Sequence, residues 1–330
     1  MDRIAPPRAR ADRRVSHASR LVPRLVPRLA ATFASVLCVA FTFGTAGAQT
    51  LDDAEMLQAR ELHATAMYGH DAWNQYWEGG LKRSNGNIGT VSTSSVTVSA
   101  AYGLSKRLTV LASLPYMWTE ASQGVLHGMS GRQDLTLMAK YRLLNPLIGG
   151  RARLKVLAVG AAAAPTSDYT PDFLPMSIGS QSKRVIARGA AHLQDRTGWF
   201  LDGYAERQWR ANVRLDRASY YTDGRLIESD QVAMPDVAQY RATLGWQSGP
   251  WCIPVGITEQ RTLGGGDIRR QDMPFVSNRM NFTTAHAELM YFLPGVSNLR
   301  LDLGAAHTLR GRNVGQSTMI MTGLTYALHL

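Results

Sequence analysis

The residues that could do chemistry are few, and their spacing does not assemble a catalytic centre. His127 and Ser130 fall in the short segment His-Gly-Met-Ser-Gly. A serine nucleophile needs its histidine within hydrogen-bond reach and a third group that orients the histidine. No such third group is evident, and the segment lies in a predicted loop. The sequence therefore predicts that the protein is not an enzyme.

Metal and phosphate sites are poorly supported as well. His63, His70 and Asp71 lie near one another, but histidines at this spacing usually belong to solvated surface, whereas a zinc site needs a defined ligand cluster. Gly264–Gly266 precedes no helix with a Lys-Ser/Thr pair, so it predicts a flexible loop and not a phosphate site. We expect no metal and no cofactor.

Residues 1–48 have the order of a secretory signal: eight arginines, an apolar run from Leu29 to Phe43, and small residues before a cleavage site after Ala48. Without this leader the charge falls to 28 − 23 = +5, from 36 − 8 basic and 25 − 2 acidic residues. The basic pI thus gives little support to nucleic-acid binding. Cys252 is the only cysteine after the leader, so no intrachain disulfide can form.

The elements that must position any functional residue are strands, because the dominant period after Trp73 is two. Leu135, Leu137 and Ala139 alternate against Asp134, Thr136 and Met138. The predicted strands are long enough to span a bilayer when tilted, and no run of 18 apolar residues predicts a membrane helix. Aromatic residues near strand ends fit the interfacial girdles of a membrane barrel: Tyr102, Tyr116, Trp118, Trp199, Trp246, Trp251, Tyr291 and Tyr326.

The connections alternate between short and long, as in barrels with short periplasmic turns and long extracellular loops. The predicted short turns are Gly103–Lys106, Asn145–Gly150, Gln194–Gly198, Gln247–Pro250 and Pro294–Asn298. The predicted long loops are Thr119–Gly131, Thr166–Ser182, Asn212–Pro235 and Gly264–Arg279. Pro115 and Pro254 lie inside predicted strands, where each should mark a bulge or a strand end.

These patterns predict an all-β fold, a transmembrane antiparallel up-and-down barrel of about 12 strands in residues 73–330, starting with Trp73–Leu81. Residues 49–72 are predicted to be a short pre-barrel segment with a helix at Ala54–Ala64, either a periplasmic extension or a lumen plug. We expect the protein in the bacterial outer membrane, with its C-terminal strand engaging the barrel assembly machinery.

Two hairpin motifs resemble the outer-membrane "MetA-pathway of phenol degradation" transporter family. They are Tyr102–Leu108 running to Leu114–Tyr116, and Gly131–Leu137 followed by Lys140–Arg142. Trp73–Trp77 and Asn85–Gly89 resemble a subgroup of it, and the likeness covers about residues 73–145. The resemblance implies a barrel that takes up small hydrophobic or aromatic compounds. It implies no functional residues.

Charged residues on the polar strand faces are predicted to line the lumen, where they either cross-link the walls or form a solute path: Lys140, Arg142, Arg184, Arg188, Arg241, Arg300, Asp134, Asp202, Glu206, Glu288 and Asp302. The leading prediction is a channel for small solutes, with hydrophobic or aromatic compounds favoured by the resemblance. The alternative is a non-transporting structural or adhesive barrel that acts through its loops.

Two further sets are predicted outside the lumen. Loop aromatics that could capture an aromatic solute by stacking are Tyr169, Phe173, Tyr220 and Tyr221. Arginines near the outer strand ends are predicted to contact lipopolysaccharide phosphates: Arg210, Arg214, Arg261, Arg269, Arg270, Arg279, Arg310 and Arg312. The expected partners are therefore outer-membrane lipids, lipopolysaccharide and a small-molecule solute, and no nucleic acid.

Overall fold

The computed structural model describes residues 54–269, 274–296 and 298–330. The predicted signal segment and Arg270 lie outside these ranges. Twelve long strands form the wall, numbered here in chain order: β1 Glu61–Trp73, β2 Val91–Ser105, β3 Leu108–Ala121, β4 Asp134–Leu144, β5 Ala152–Pro165, β6 Arg184–Asp195, β7 Trp199–Arg210, β8 Val237–Ser248, β9 Trp251–Thr262, β10 Asn281–Phe292, β11 Leu299–Arg312 and β12 Thr318–His329.

The wall closes on itself, because every strand pairs antiparallel with two neighbours. The closing pair is β1 with β12, in register from Glu61 opposite His329 to Ala72 opposite Thr318. Closure removes the unpaired strand edges that a bilayer would not tolerate. The predicted all-β barrel of about 12 strands is confirmed. Among the described residues, no helix has the length and apolar character needed to cross a membrane.

The outer face of the wall is apolar and the inner face carries the polar residues. On β4, Leu137 and Tyr141 are exposed outward, whereas Asp134 and Lys140 are buried on the lumen side. All eight predicted girdle aromatics alternate with the inner set and face outward. One pair, Trp251 and Tyr291, lies in register with ring centroids 4.3 Å apart. An apolar outer face with aromatic side chains near its edges is stable in contact with lipid hydrocarbon and headgroups.

The connections alternate in length as predicted. The long ones are residues 74–90, 122–133, 166–183, 211–236 and 263–280, and the last connection at that end, 313–317, is short. The short turns lie at the other end together with both strand termini, Glu61 and His329. Gly198 is required in its turn: its φ is +95°, and a Cβ there would lie 2.0 Å from the Gln247 carbonyl oxygen.

Eight short strands decorate these connections: Gln75–Glu78, Leu81–Ser84, Ser130–Arg132, Leu147–Ile148, Val213–Arg214, Tyr220–Thr222, Arg225–Ile227 and Gln231–Val232. The two prolines interrupt pairing on one edge of their strands, but the prediction of a bulge or strand end at each is wrong, because both strands continue through the proline without a register shift there. The β9–β10 ladder is interrupted at Pro254, between the pairs Cys252–Met290 and Val255–Ala287. At Pro115, β3 changes its partner from β4 to Ser130–Arg132.

The predicted start of the barrel is wrong. The wall begins at Glu61, and Trp73–Leu81 spans the end of β1 and part of a hairpin in the first loop. The predicted helix at Ala54–Ala64 is also wrong for these residues, which are irregular up to Arg60 and then enter β1. The alanine-rich composition favours a helix, but β1 gains a full ladder on both edges, and such tertiary pairing overrides local propensity.

Candidate functional site in the barrel lumen

The lumen is filled on one side by the N-terminal segment. Residues 54–60 run inside the barrel, and Ala54 and Leu57 are buried there against apolar side chains of β2 to β7. The Leu57 backbone N–H donates to Thr109 Oγ1 at 3.2 Å. The segment approaches the wall so closely that a Cβ on Gly103 would lie 1.8 Å from the Gln58 carbonyl oxygen. These residues therefore form a plug, one of the two alternatives left open by the sequence.

Polar contacts fix both ends of this plug. Lys155 on β5 donates to Glu55 at 3.3 Å. At the other end the Gln58 backbone N–H donates to Glu61 Oε2 at 2.8 Å, and Glu61 also contacts His63 Nε2 at 3.0 Å. The plug is thus held by buried apolar packing with an ion pair or charge-assisted hydrogen bond on either side.

The predicted lumen charges all lie on inner faces, and most form an ion pair on the same strand or with a strand one or two positions away. Arg188 donates to Glu206 at 2.7 Å and lies 4.1 Å over the Tyr204 ring. Arg241 contacts Glu288 at 3.0 Å. An Asp202 carboxylate oxygen lies 2.5 Å from His192 Nδ1. Lys140 is fully buried. Whether any of them touches a solute stays a prediction.

The most enclosed of these groups is formed by Arg300 and Asp302 on β11. Arg300 Nε donates to Asp302 at 2.6 Å, and the guanidinium also donates to Thr325 Oγ1 at 3.2 Å. Thr325 in turn donates to Asp302 at 3.1 Å. With Arg300 at 2% and Asp302 at 7% exposure, this triangle has the geometry of a wall cross-link and not of a path lining.

Charged inner-face residues that stay partly accessible, such as Arg184, Asp202, Arg241 and Glu288, lie on β6, β7, β8 and β10. On four other strands the accessible inner-face residues are mostly uncharged. They carry hydroxyl or thioether groups, and they lie on β1, β2, β3 and β12: Met67, Thr93, Ser95, Thr97, Ser99, Met117, Met319 and Met321. Sequence reasoning missed them because it searched the polar faces for charge. The strand alternation that places Thr325 and Ala327 on the inner face also places Met319 and Met321 there.

The extracellular mouth is narrowed by loop 166–183, which folds back over the β3 and β4 ends. Met176 and Ile178 are almost fully buried. Thr119 Oγ1 donates to the Met176 carbonyl at 2.6 Å, and Gln133 Nε2 to the Ile178 carbonyl at 2.8 Å. The Tyr169 hydroxyl donates to Asp134 at 3.1 Å; burial, and then the nearby carboxylate, raise the pKa of Tyr169.

Loops 211–236 and 263–280 share a small apolar core of their own. Tyr220 stacks on Phe275 with ring centroids 5.3 Å apart, and Val213 and Val232 are buried beside them. Arg217 forms an ion pair with Asp172 in loop 166–183. The outer loops are therefore tied to one another as well as to the wall.

Asn313, in the last connection, joins two other loops to the wall. Its side-chain oxygen accepts the backbone N–H groups of Gly79 at 2.8 Å and Ile268 at 3.0 Å. Its amide donates to Asp267 at 2.8 Å and to the Arg279 carbonyl at 2.7 Å. Its φ is 56°, a left-handed conformation that asparagine tolerates better than most residues.

The contact of loop 263–280 with the wall should survive strong acid. Hydrogen bonds from Arg312, and then from Asn313, lower the pKa of Asp267 from 3.8 to about 2. A carboxylate with a depressed pKa stabilises the folded state above its unfolded pKa, and this contribution is lost as the pH falls through the folded value. Pepsin cleavage within loop 263–280 should therefore stay slow at about pH 3 and accelerate towards pH 2.

The matched variant is Asp267→Asn, in which cleavage should be fast and should show no pH step beyond that of pepsin itself on a denatured control. A wild-type loop already released between about pH 5 and pH 4, where an unperturbed carboxyl titrates, would contradict the assignment.

The predicted loop aromatics do not form one stacking surface. Tyr169 and Tyr220 are buried, and Tyr220 is stacked on Phe275. Tyr221 is 58% exposed and Phe173 is half-buried. Within the described part of the chain, no ring contact joins any two of the four residues. A capture role stays a prediction for Phe173 and Tyr221.

Most of the predicted lipopolysaccharide arginines have protein partners. Arg214 contacts Asp230 at 2.6 Å, and Arg269 contacts Asp223 at 2.7 Å. Arg279 Nε donates to the Gly264 carbonyl at 3.5 Å, and Arg312 pairs with Asp267. Arg210 faces the lumen beside Arg184, so the prediction that it meets external lipid is wrong. Arg261, which contacts Glu259 at 2.8 Å, and Arg310 face outward and are exposed.

The remaining candidate chemistry does not come together. His63 lies on the inner face with Glu61, whereas His70 lies on the outer face with its Nδ1 2.9 Å from Ser94 Oγ. His127 and Ser130 are exposed in loop 122–133. Among the described residues, no group of three or more His, Cys, Asp or Glu side chains could hold a metal ion.

A solved outer-membrane channel shares this architecture. The crystal structure of an outer membrane channel from Pseudomonas putida F1 aligns with a TM-score of 0.67 over 85% of this chain and 100% of that chain, at 16% identity. The barrel therefore has the fold of that outer-membrane channel, as the resemblance in the first hairpins implied. No protein-family model and no curated protein sequence matches the chain.

Two other barrels are much less similar. The translocator domain of the autotransporter NalP from Neisseria meningitidis aligns with a TM-score of 0.43 at 13% identity, over 83% of this chain and 90% of that chain. The CymD monoaromatic hydrocarbon channel aligns with a TM-score of 0.39 at 12% identity, over 83% of this chain and 89% of that chain. Neither contributes to the assignment.

Proposed function

We propose that the protein is an outer-membrane channel that takes up small, uncharged, apolar or aromatic solutes. Residues 1–48 serve as its cleaved export signal. The observation that carries the proposal is the division of the lumen: most of its charged side chains are paired, while the accessible lining on β1, β2, β3 and β12 is mostly hydroxyl and thioether groups. The apolar outer belt supports residence in a membrane.

The chemistry of the lining favours uncharged solutes. An ion entering the lumen must exchange its water for dipoles or opposite charges on the wall. The wall charges on β6, β7 and β11 already satisfy one another, as in the contacts Arg188–Glu206 and Arg300–Asp302. Thioethers and hydroxyls offer an ion little compensation, whereas an apolar solute loses little on leaving water.

Uptake of a limiting aromatic compound tests the proposal. A deletion strain should take up phenol or toluene more slowly than the parent, and the wild-type gene should restore uptake. A complementing gene with Phe173→Ala and Tyr221→Ala tests the loop route separately. Unchanged aromatic uptake together with lower permeability to small sugars would show instead a general diffusion channel.

A second candidate is a structural or adhesive barrel that acts through its loops. The observation that favours it is the shared apolar core of loops 211–236 and 263–280, which gives the outer surface a fixed shape. Single-channel recording separates the two candidates, because only a channel gives conductance steps in a planar bilayer.

We also propose that the outward-facing arginines contact lipopolysaccharide. Arg261 on β9 and Arg310 on β11 are exposed on the outer face. Arg207 on β7, which was not singled out from the sequence, is exposed on the same face. Arg207 and Arg261 both lie opposite Ala238, so they are two strand spacings apart, about 10 Å. Guanidinium groups suit bidentate phosphate contacts.

The terminal strand β12 is the proposed contact with the assembly machinery.

Neutralising these three arginines to glutamine should lower the lipopolysaccharide phosphate that co-purifies with the protein by about half, since each exposed contact contributes little alone. The matched control changes three exposed arginines in the short turns, Arg107, Arg151 and Arg196, to glutamine. Equal lipopolysaccharide in both variants would argue against the contact.

A further inference from the structure

Methionines and glycines alternate on the inner faces of β1, β11 and β12. Met67 lies opposite Gly323, and Gly69 lies opposite Met321. Met321 also lies opposite Gly304 on the next strand. Because inner residues of neighbouring strands form one surface, each of these two methionine side chains has a glycine beside it on the lumen wall.

The thioether chains lie over the glycines. A Cβ on Gly304 would lie 2.9 Å from Met321 Cε, so Met321 occupies the space that a side chain would fill. A Cβ on Gly69 would lie 3.5 Å from Met319 Cε and 4.0 Å from Met321 Cγ. The side chains of Met67, Met319 and Met321 thus cover the backbone of the neighbouring glycines, and all three methionines keep accessible surface.

This surface can change shape without moving the wall. Methionine has three rotatable bonds and a polarizable sulfur that packs well against aromatic rings. The cavity between Met67, Met290, Met321 and Glu288 is only about 20 Å³, space for about one water. A solute larger than water that enters this cavity must therefore displace side chains, and the glycines leave room for the methionines to turn.

Asp71 on β1 lies opposite Met319 and borders this surface. The other neighbouring charges are paired: Glu288 is held by Arg241 at 3.0 Å, and Asp302 by Arg300 at 2.6 Å. The opposite part of the lumen is occupied by the plug around Leu57. What a solute can meet on the β1 and β12 side is therefore mostly thioether, hydroxyl and glycine backbone.

We propose that Met67, Met319 and Met321, lying over Gly69 and Gly304, form an adaptable binding surface for a flat, uncharged aromatic solute in the lumen. The inference rests on the proposed channel function and names the part of the lumen that recognises the solute. Sulfur–ring contacts and displaceable side chains bind the ring.

The test measures binding of 1-naphthol to the purified full-length chain in detergent, followed by the fluorescence of the ligand. Changing all three methionines to serine should weaken binding about tenfold, since each sulfur–ring contact contributes modestly and they act together. Changing all three to leucine should weaken binding no more than about threefold, because leucine keeps the apolar surface but not the sulfur. Met129→Ser, in loop 122–133, is the matched control and should bind like the wild type.

A second variant fills the surface instead of altering its chemistry. Gly304→Leu should abolish 1-naphthol binding, because Met321 can turn away and the new side chain takes its place. Gly160→Leu on the outer face, where a Cβ meets nothing within 4 Å, should leave binding unchanged. Heat-modifiable migration on gels verifies that each variant barrel is folded.

The outcomes separate the inference from the channel function. Wild-type binding in the serine variant, or in Gly304→Leu, would overturn the methionine surface even if the deletion strain is slow to take up aromatics. Failure of the wild type to bind 1-naphthol would overturn it too. If the deletion strain takes up aromatic compounds as fast as the parent, aromatic uptake is refuted. The 1-naphthol binding results then still decide whether the methionine surface exists.

Discussion

Removal of the plug, residues 54–60, should open the barrel to small polar solutes. The segment fills the β2 to β7 side of the lumen with Ala54 and Leu57, and deleting it replaces that packing with water. Conductance in planar bilayers should rise severalfold, and liposomes that carry the variant should swell in arabinose much faster than those with the wild type.

A point substitution tests the same prediction without shortening the chain. Leu57→Asp puts a charge into an apolar cluster, where an unpaired carboxylate is too costly to stay. The segment should leave the lumen, and conductance should approach that of the deletion. Leu57→Met, which conserves volume, is the matched control and should conduct like the wild type. Unchanged conductance in both the deletion and Leu57→Asp would show that the segment does not block the path.

The second large effect is expected in the wall. Asp302→Ala leaves the Arg300 guanidinium buried without its carboxylate, and breaking a buried pair from one side costs about 3–5 kcal/mol in the free energy of unfolding. Thr325 alone cannot compensate the charge. Urea titration of the barrel in lipid vesicles, followed by tryptophan fluorescence, measures the loss.

The double variant Arg300→Met/Asp302→Leu removes both charges and fills the space. It should unfold close to the wild-type urea concentration, because a buried pair replaced by well-packed apolar groups is often neutral or stabilising. If the double variant were as unstable as Asp302→Ala, packing and not charge would account for the loss.

The sequence was sufficient for the elements with clean alternation and insufficient for those without it. On β4, large apolar residues such as Leu135 and Leu137 alternate with Asp134 and Lys140, and both faces were predicted correctly. On β1 the outer face begins Leu62, Ala64, Ala66, and alanine has no preference for a strand. The wall was therefore predicted to start one strand's length too late.

The site was harder to predict because it depends on register. Alternation places Arg188 and Glu206 on inner faces, but only the pairing of β6 with β7 sets them opposite each other. Likewise Tyr220 and Phe275 come from different loops, and nothing local predicts that they stack. Local spacing gave candidate charges; the contacts that pair them are long-range.

The position of the plug immediately before β1 bears on how the barrel is built. The pair between Glu61 and His329 joins the first and last strands of the wall, and it closes the longest loop in the barrel, which makes it entropically the most expensive contact. The plug segment with Leu57 therefore directly precedes β1, one of the two strands whose pairing closes the wall. We therefore expect the plug to enter the lumen as β1 pairs with β12, so that filling the lumen and closing the wall are coupled.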